Sequence, residues 1–420
     1  MHGRQITLTQ TMTSVPPETS SVRVLSLISA GHFCSHFYYM VLPPLFPILL
    51  DVYGVGFTEL GLALMVFSLS NALTAAPIGV LVDRFSPCTI LVTGLIIEGL
   101  VFCVLGLFPN YAALLVLMAI AGACNSVFHP ANYTILDDRV SDKKMGRAFS
   151  IHSFGGYLGA AVAPIVVVGV ATTTNWQIAV SVAGVGGLVI AGILILNRAH
   201  LRAVKPSVPK SNDAIKSRNS GSLQILWSAP ILLGLVFFAL LAIAEYGISD
   251  FGVSSLHLMY GVPLTTATVG LSVYLFGGPI GVLAGGWLAD RFHRHDLVVA
   301  VCMLMFSVCV IVIAAVDPSW SMVLVLLATA GFTAGLVAPS RDLIIRSVTP
   351  SGDIGKVFGF VAMGLTIGGV VSRPLYGFQL DHMDPLWLFA AAGLFGIMTS
   401  VIALLTTSAA ATRLVRSEVP

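Results

Sequence analysis

The chemistry of this chain rests with a few ionisable side chains set inside long apolar stretches. His32 and His36 lie one helical turn apart, so a helix brings both imidazoles to one face, with Tyr39 near them. Asn125, His129 and Asn132 share a second stretch and His152 sits in a third. Glu245, Tyr246 and Asp250 share another, and Arg341 and Asp342 another. Arg373 stands alone. At a bilayer centre each charge costs about 2.5–3.5 kcal/mol on insertion scales, so such residues are kept for pairing, proton exchange or ligand binding. Glu245 lies near the middle of its stretch with no base close in sequence. A carboxylate there is expensive while charged and unpaired, which suits it to loading and releasing a proton. Asp250 and His36 are the residues to share that work.

Arg373 needs an acid or an anion. Its stretch begins near Gly355, which puts it about 27 Å along a helix at 1.5 Å per residue, in the outer half of a membrane. Gly369-x-x-x-Arg373-Pro374 repeats the step Gly159-x-x-x-Ala163-Pro164, with a guanidinium in place of a small residue. Asp250 is the expected internal partner, and a salt bridge between them is one reading. The other is a carboxylate or phosphonate on a bound molecule, which the guanidinium fork grips through two parallel hydrogen bonds. Both readings stand, and the two partners can alternate.

A different motif ends two of the apolar runs. Gly79-Val80-Leu81-Val82-Asp83-Arg84 returns 207 residues later as Gly286-Trp287-Leu288-Ala289-Asp290-Arg291. The aspartate can accept hydrogen bonds from a neighbouring helix start and pair with a base such as Arg84, while the glycine lets two helices approach closely. Gly79, Asp83, Arg84, Gly286, Asp290 and Arg291 are thus the expected gate, whose contacts break when their face opens. A plain stop-transfer charge pair is the simpler alternative.

The elements that must position these residues follow from composition and repetition. Hydrophobic residues make up 56 % of the chain and charged residues 10 %, against about 25 % charged in a soluble domain. Twelve membrane-length segments are predicted, at 23–49, 59–82, 88–108, 111–136, 146–171, 176–196, 226–257, 264–289, 297–316, 321–345, 355–380 and 386–408. Residues 1–22 read as a polar tail, 197–225 as a solvated basic linker between two six-helix bundles (23–196 and 226–408), and 409–420 as a second tail. Ala121-Gly122 with Pro130 is echoed by Ala330-Gly331 with Pro339, and Gly146, Phe149 and Gly159 by Gly355, Phe358 and Gly368. The chain is one half written twice with the same polarity, an arrangement found in transporters with a site between the halves. With these spans every Lys and Arg except Arg373 falls on one side, the side that stays in the cytoplasm, so both termini are expected there.

The doubled Gly-x-x-x-Asp-Arg, the two similar six-span halves and the basic central loop resemble the major facilitator superfamily over nearly the whole chain. Gly31-His32-Phe33, Phe128-His129-Pro130 and Gly155-Gly156-Tyr157-Leu158-Gly159 resemble its fosmidomycin-resistance-type and drug-efflux branches. Phe85-Ser86-Pro87-Cys88 follows the first Asp-Arg where that family often adds bases, and Ala163 stands where its antiporters show glycine. The resemblance implies an all-α membrane protein with twelve transmembrane helices in two pseudo-symmetric halves, whose helices one, four, seven and ten line a central cavity. It further implies a secondary transporter of a small organic solute, with efflux ahead of uptake of an organic acid. His36, Tyr39, Asn125, Tyr157, Tyr246 and Arg373 are the expected solute contacts; Glu245, Asp250 and His36 are expected to couple protons.

Other classes fare worse. No Gly-x-x-x-x-Gly-Lys is present to use ATP directly, and the six cysteines show no pairing or metal spacing. A membrane-embedded metalloenzyme needs histidines converging at one membrane face. Here they are expected at different depths, so no catalytic residue, metal or cofactor is assigned. A non-transporting sensor on the same fold would be told apart by flux in vesicles. The expected partners are a small solute, protons and membrane lipids, with no nucleic acid, for a monomer in the inner cell membrane.

Overall fold

The structure, a computed structural model, describes residues 18–201, 223–349 and 354–418. Among these there is no strand, and twelve helical spans are long and apolar enough to cross a membrane. They are α1 (Val22–Tyr53), α2 (Phe57–Arg84), α3 (Pro87–Leu105), α4 (Tyr111–Arg139), α5 (Lys144–Thr173) and α6 (Trp176–Leu196) in the first half. The second half holds α7 (Ala229–Tyr260), α8 (Leu264–Arg291), α9 (His295–Val316), α10 (Trp320–Ser347), α11 (Lys356–His382) and α12 (Leu386–Thr406). The ends of α2, α4, α6, α8 and α10 and the starts of α3, α5, α7, α9 and α11 lie on one side, called here the linker face; the other side is the far face.

Local sequence sets the ends and breaks. The Asn110 and Asn175 side chains accept backbone N–H groups in the first turns of α4 and α6. Gly54 and Gly261 close α1 and α7 in the left-handed conformation that a side chain resists. Within α1, Pro43 and Pro44 force a 3-10 turn between a helix ending at Tyr39 and another beginning at Phe46. α4 is broken between Asn125 and Phe128. Three expected boundaries move. The first helix already begins at Glu18, inside the segment read as a tail, and the last continues to Glu418. The helix of α5 begins at Asp142, so His152 lies in its third turn. Of the linker, Arg198–Leu201 and Leu223–Trp227 form short helical turns; residues 202–222 and 1–17 lie outside the described residues.

The repeated glycines are the packing contacts of each half. Gly122 of α4 lies on the backbone carbonyl of Phe67 in α2, and its counterpart Gly331 of α10 lies on that of Tyr274 in α8. Gly159 of α5 meets the Phe33 carbonyl in α1, as Gly368 of α11 meets the Ala239 carbonyl in α7. At each of the four there is no room for a Cβ, so small residues let the backbones approach as they do in membrane helix pairs.

Between the halves, α2 packs on α11 and α5 on α8. Closure is seen at the far face. Gly61 of α2 abuts the carbonyl of Arg373, and Gly377 of α11 abuts that of Phe57. At the linker face the same four helices part: around Gly79, Gly146, Gly286 and Gly359 no atom approaches within 4 Å of where a Cβ would stand. The conformation is closed at the far face and open at the linker face. A methyl at Gly122 acts inside one half and should destabilise the fold by about 1–3 kcal/mol through overpacking. The same change at Gly61 acts across the seam. Gly61→Ala should leave the unfolding temperature near that of the parent while raising thiol labelling of far-face cysteines. Equal loss of stability in the two variants would contradict this division.

Candidate functional site: a cavity between the halves

Arg373 lies where the far-face closure meets the cavity. α11 carries it past the midpoint of its span, next to Pro374. Its Nε donates to Asp250 Oδ2 of α7 at 3.0 Å, with both side chains buried. Its Nη1 donates to Ser68 Oγ of α2, and the guanidinium stacks over the Tyr246 ring at 5.2 Å. The expected pairing with Asp250 is therefore present, but the arginine also holds the opposite half through Ser68. Tyr39 of α1 lies within electrostatic reach of both Tyr246 and Arg373.

Beside this cluster a cavity of about 130 Å³ is shared by the two halves. Tyr157 of α5 contributes from the first half; Glu245 of α7, Tyr274 of α8 and Arg341 of α10 contribute from the second. Arg341 Nε makes a local pair with Asp342 at 2.9 Å, and its guanidinium stacks over Phe238 at 4.8 Å. The Glu245 carboxylate has no hydrogen bond or ion pair among the described residues. The only base lining its cavity is Arg341. An acid so placed exchanges partners at little structural cost.

Three expectations give way. Asn125 does not face solute: it is buried, its Nδ2 donates to Glu98 Oε1 (2.9 Å) and to the Ser35 carbonyl (3.2 Å), and its Oδ1 accepts from Ser35 and Asn71. With both ends of the amide engaged it ties α4 to α1, α2 and α3. The histidines do not lie at different depths. His32, His36, His129 and His152 gather where α1, α4 and α5 meet, with ring centroids of His32 and His152 3.9 Å apart and of His32 and His129 5.1 Å apart. Gly156 brings the α5 backbone against His32 and His36. Third, the gate motifs make no closure here. Asp83, Arg84, Asp290 and Arg291 are exposed, neither aspartate has a hydrogen bond or ion pair among the described residues, and Gly79 and Gly286 touch no neighbouring helix. Their face is the one that is open, so the contacts expected of them have nothing to form with.

The closure that does exist was not anticipated. Asp381, at the end of α11, accepts the backbone N–H groups of Phe57 (2.7 Å) and Thr58 (2.8 Å) and the Thr58 hydroxyl (2.6 Å). A carboxylate of the second half thus caps the first turn of α2 in the first half, where free N–H groups and the helix dipole favour an anion. One signal was available: Asp381 is an acid just past the predicted 355–380 span, on the face that has no Lys or Arg in its loops. Ser68 carries no such mark. Removing the cap with Asp381→Ala should cost the closed far face about 1 kcal/mol, a roughly five-fold shift in population. Faster labelling of a single cysteine on the seam side of α2 measures it; an unchanged rate would mean that the cap does not latch the seam.

Comparison with known proteins agrees with this architecture. The Major Facilitator Superfamily matches residues 28–269 and 248–419. The chain is 22 % identical over 371 residues to the fosmidomycin resistance protein of Escherichia coli (strain K12), covering 86 % of this chain and 87 % of that protein. A bacterial homologue of the human lysosomal transporter Spinster, solved inward-facing and unoccupied, superposes with a TM-score of 0.73 at 14 % identity, covering 94 % of this chain and 96 % of that one. A mutant of the nucleoside transporter NupG superposes with a TM-score of 0.75 at 12 % identity, covering 92 % and 99 %. Two pseudo-symmetric six-helix halves, a cavity between them and a match along nearly the whole chain lead to one conclusion: the chain belongs to the Major Facilitator Superfamily of membrane transporters.

Proposed function

We propose that this chain is a proton-coupled secondary transporter that exports a small organic solute bearing an anionic group, by alternating access across the inner cell membrane. The linker face, which gathers every Lys and Arg but Arg373, is taken as cytoplasmic. The observation that carries the reading is the placement of Glu245, a carboxylate with no ion pair among the described residues, in a cavity shared by both halves, five residues along α7 from Asp250, the partner of Arg373.

In this scheme solute enters the open linker face and is met by Tyr157, Tyr246 and Tyr39, with His36 beside them. Its anionic group competes with Asp250 for the Arg373 fork, an exchange of one charge-assisted pair for another. Arg373 then no longer holds Ser68, the far-face closure loosens, and the Gly79–Arg84 and Gly286–Arg291 segments close the linker face in turn. Glu245, with Asp250 and His36, carries the proton: it is neutral when the cavity is dry and charged when it is wetted or facing Arg341. A ligand shifts such a two-state equilibrium only by the difference in its affinity for the two states, which is why a bond made at the seam counts for more than one made on a single half.

Uptake of an organic acid with a proton would use the same residues but carry solute in the same direction as the proton, so the direction of solute flow under one pH gradient discriminates. In proteoliposomes screened with carboxylates and phosphonates, a gradient acidic on the far side should drive export. The Glu245→Gln variant should lose gradient-driven accumulation yet retain solute exchange. Accumulation by that variant against a concentration gradient would remove Glu245 from the coupling role.

A further inference from the structure

The histidine cluster of the first half has no part in the scheme above beyond His36, and its geometry is that of a ligand set. One ring nitrogen each from His32, His36 and His129 lies within 4.8 Å of the others. A tetrahedral site with metal–nitrogen bonds of about 2.0–2.1 Å sets its ligand nitrogens roughly 3.4 Å apart, so a closing of roughly 1.4 Å at most completes it.

The protonation of one ligand is fixed by its surroundings. His32 Nδ1 lies 2.9 Å from the backbone carbonyl of His152, and a carbonyl can only accept, so Nδ1 carries the hydrogen. The lone pair is left on Nε2, which is buried and has no hydrogen-bond partner among the described residues. A metal-bound imidazole commonly donates its second N–H to a backbone carbonyl, which holds the ring and its tautomer in place. The His152 ring stacks on His32 at an interplanar angle of 15°, its own two nitrogens buried and unpartnered. Gly156 presses the α5 backbone onto the Cε1–Nδ1 edge of His32 and onto Cδ2 of His36, so α5 acts as a wall behind both. A buried acceptor with no donor is costly to keep, and a cation would satisfy it.

The fourth side is open. His36 is half-buried, His129 is exposed, and Tyr133 flanks His129 with ring centroids 5.6 Å apart. We propose that His32, His36 and His129 bind one borderline divalent transition-metal ion, of the zinc, cobalt or nickel kind, with a free coordination position on the exposed His129 side. Three neutral imidazoles favour that class over magnesium or calcium, which take oxygen ligands. The set joins α1 to the part of α4 beyond its break, so an ion there fixes their spacing. The site stands whether or not the transport reading is right, because it requires no solute and no gradient.

Full-length protein purified on a tag free of histidine, in detergent, tests it with cobalt(II) as the probe and zinc(II) as competitor. The wild type should bind one cobalt ion with the intense visible bands of tetrahedral coordination, and zinc should abolish them. His36→Gln and His129→Gln should each lower the affinity by about 100-fold or more, since losing even an outer partner of a ligand costs about 10–100-fold. Histidines outside the cluster are common to all variants and give the constant background. His129→Cys, at an exposed position that should not disturb folding, should recover tight binding and add a thiolate-to-cobalt charge-transfer band. Binding that is unchanged in His36→Gln and His129→Gln, no binding above background in the wild type, or a His129→Cys protein without the new band would each overturn the assignment.

Discussion

A guanidinium buried in the outer half of a membrane protein must be paired, and this need organises the cavity. Arg373 is held by Asp250 in its own half and by Ser68 in the other, with Tyr246 against its face. Removing one partner of a buried charge leaves the other uncompensated, which costs far more than the pair contributes. Parting the halves at the far face leaves the pair with Asp250 intact and breaks the bond to Ser68, so the arginine ties the seam through a hydroxyl while its charge stays balanced within its own half. In the proposed cycle an anionic solute replaces Asp250 and shifts the arginine away from Ser68.

The twofold repeat explains the scaffold, and departures from it explain the chemistry. Gly122 and Gly331, or Gly159 and Gly368, perform the same packing in each half. Four residues beyond Gly159 stands Ala163; four beyond Gly369 stands Arg373, each followed by proline. The first half spends its polar positions differently, on four imidazoles and on the Asn125–Glu98 amide and acid pair. One half holds the charged residues proposed to meet a solute, and the other holds the imidazole cluster proposed to bind a cation. The far-face cap made by Asp381 on α2 has the chemistry that Asp83 was expected to use on the opposite face, a carboxylate accepting from a helix start.

Much of this was legible because it depends on local spacing. Span lengths follow from apolar runs, and close helix contacts from repeated small residues. The need of Arg373 for an acid follows from its depth, and Asp250 is the acid it has. What could not be read depends on how helices are turned and broken. The interruption between Asn125 and Phe128 breaks the phase that would put Asn125 and His129 on one face, so one is buried in a network and the other is exposed. The convergence of His129 and His152 on α1 needs three helices packed by Gly156 and Gly159. Ser68 looks like any other serine of a membrane helix until α11 is laid against it. The gate motifs were identified as segments, but their exposure here reflects which face is open, a property of the conformation rather than of the residues.

The central claim is that Arg373 meets the solute rather than only balancing Asp250. Transport of carboxylates and phosphonates into proteoliposomes by Arg373→Ala, Asp250→Ala and the double variant tests it most directly. If the arginine grips the solute, Arg373→Ala is inactive and pairing it with Asp250→Ala restores nothing, because the missing contact is with the solute. Full recovery of transport in the double variant would contradict the account, leaving Arg373 a counter-ion and moving solute recognition elsewhere in the cavity.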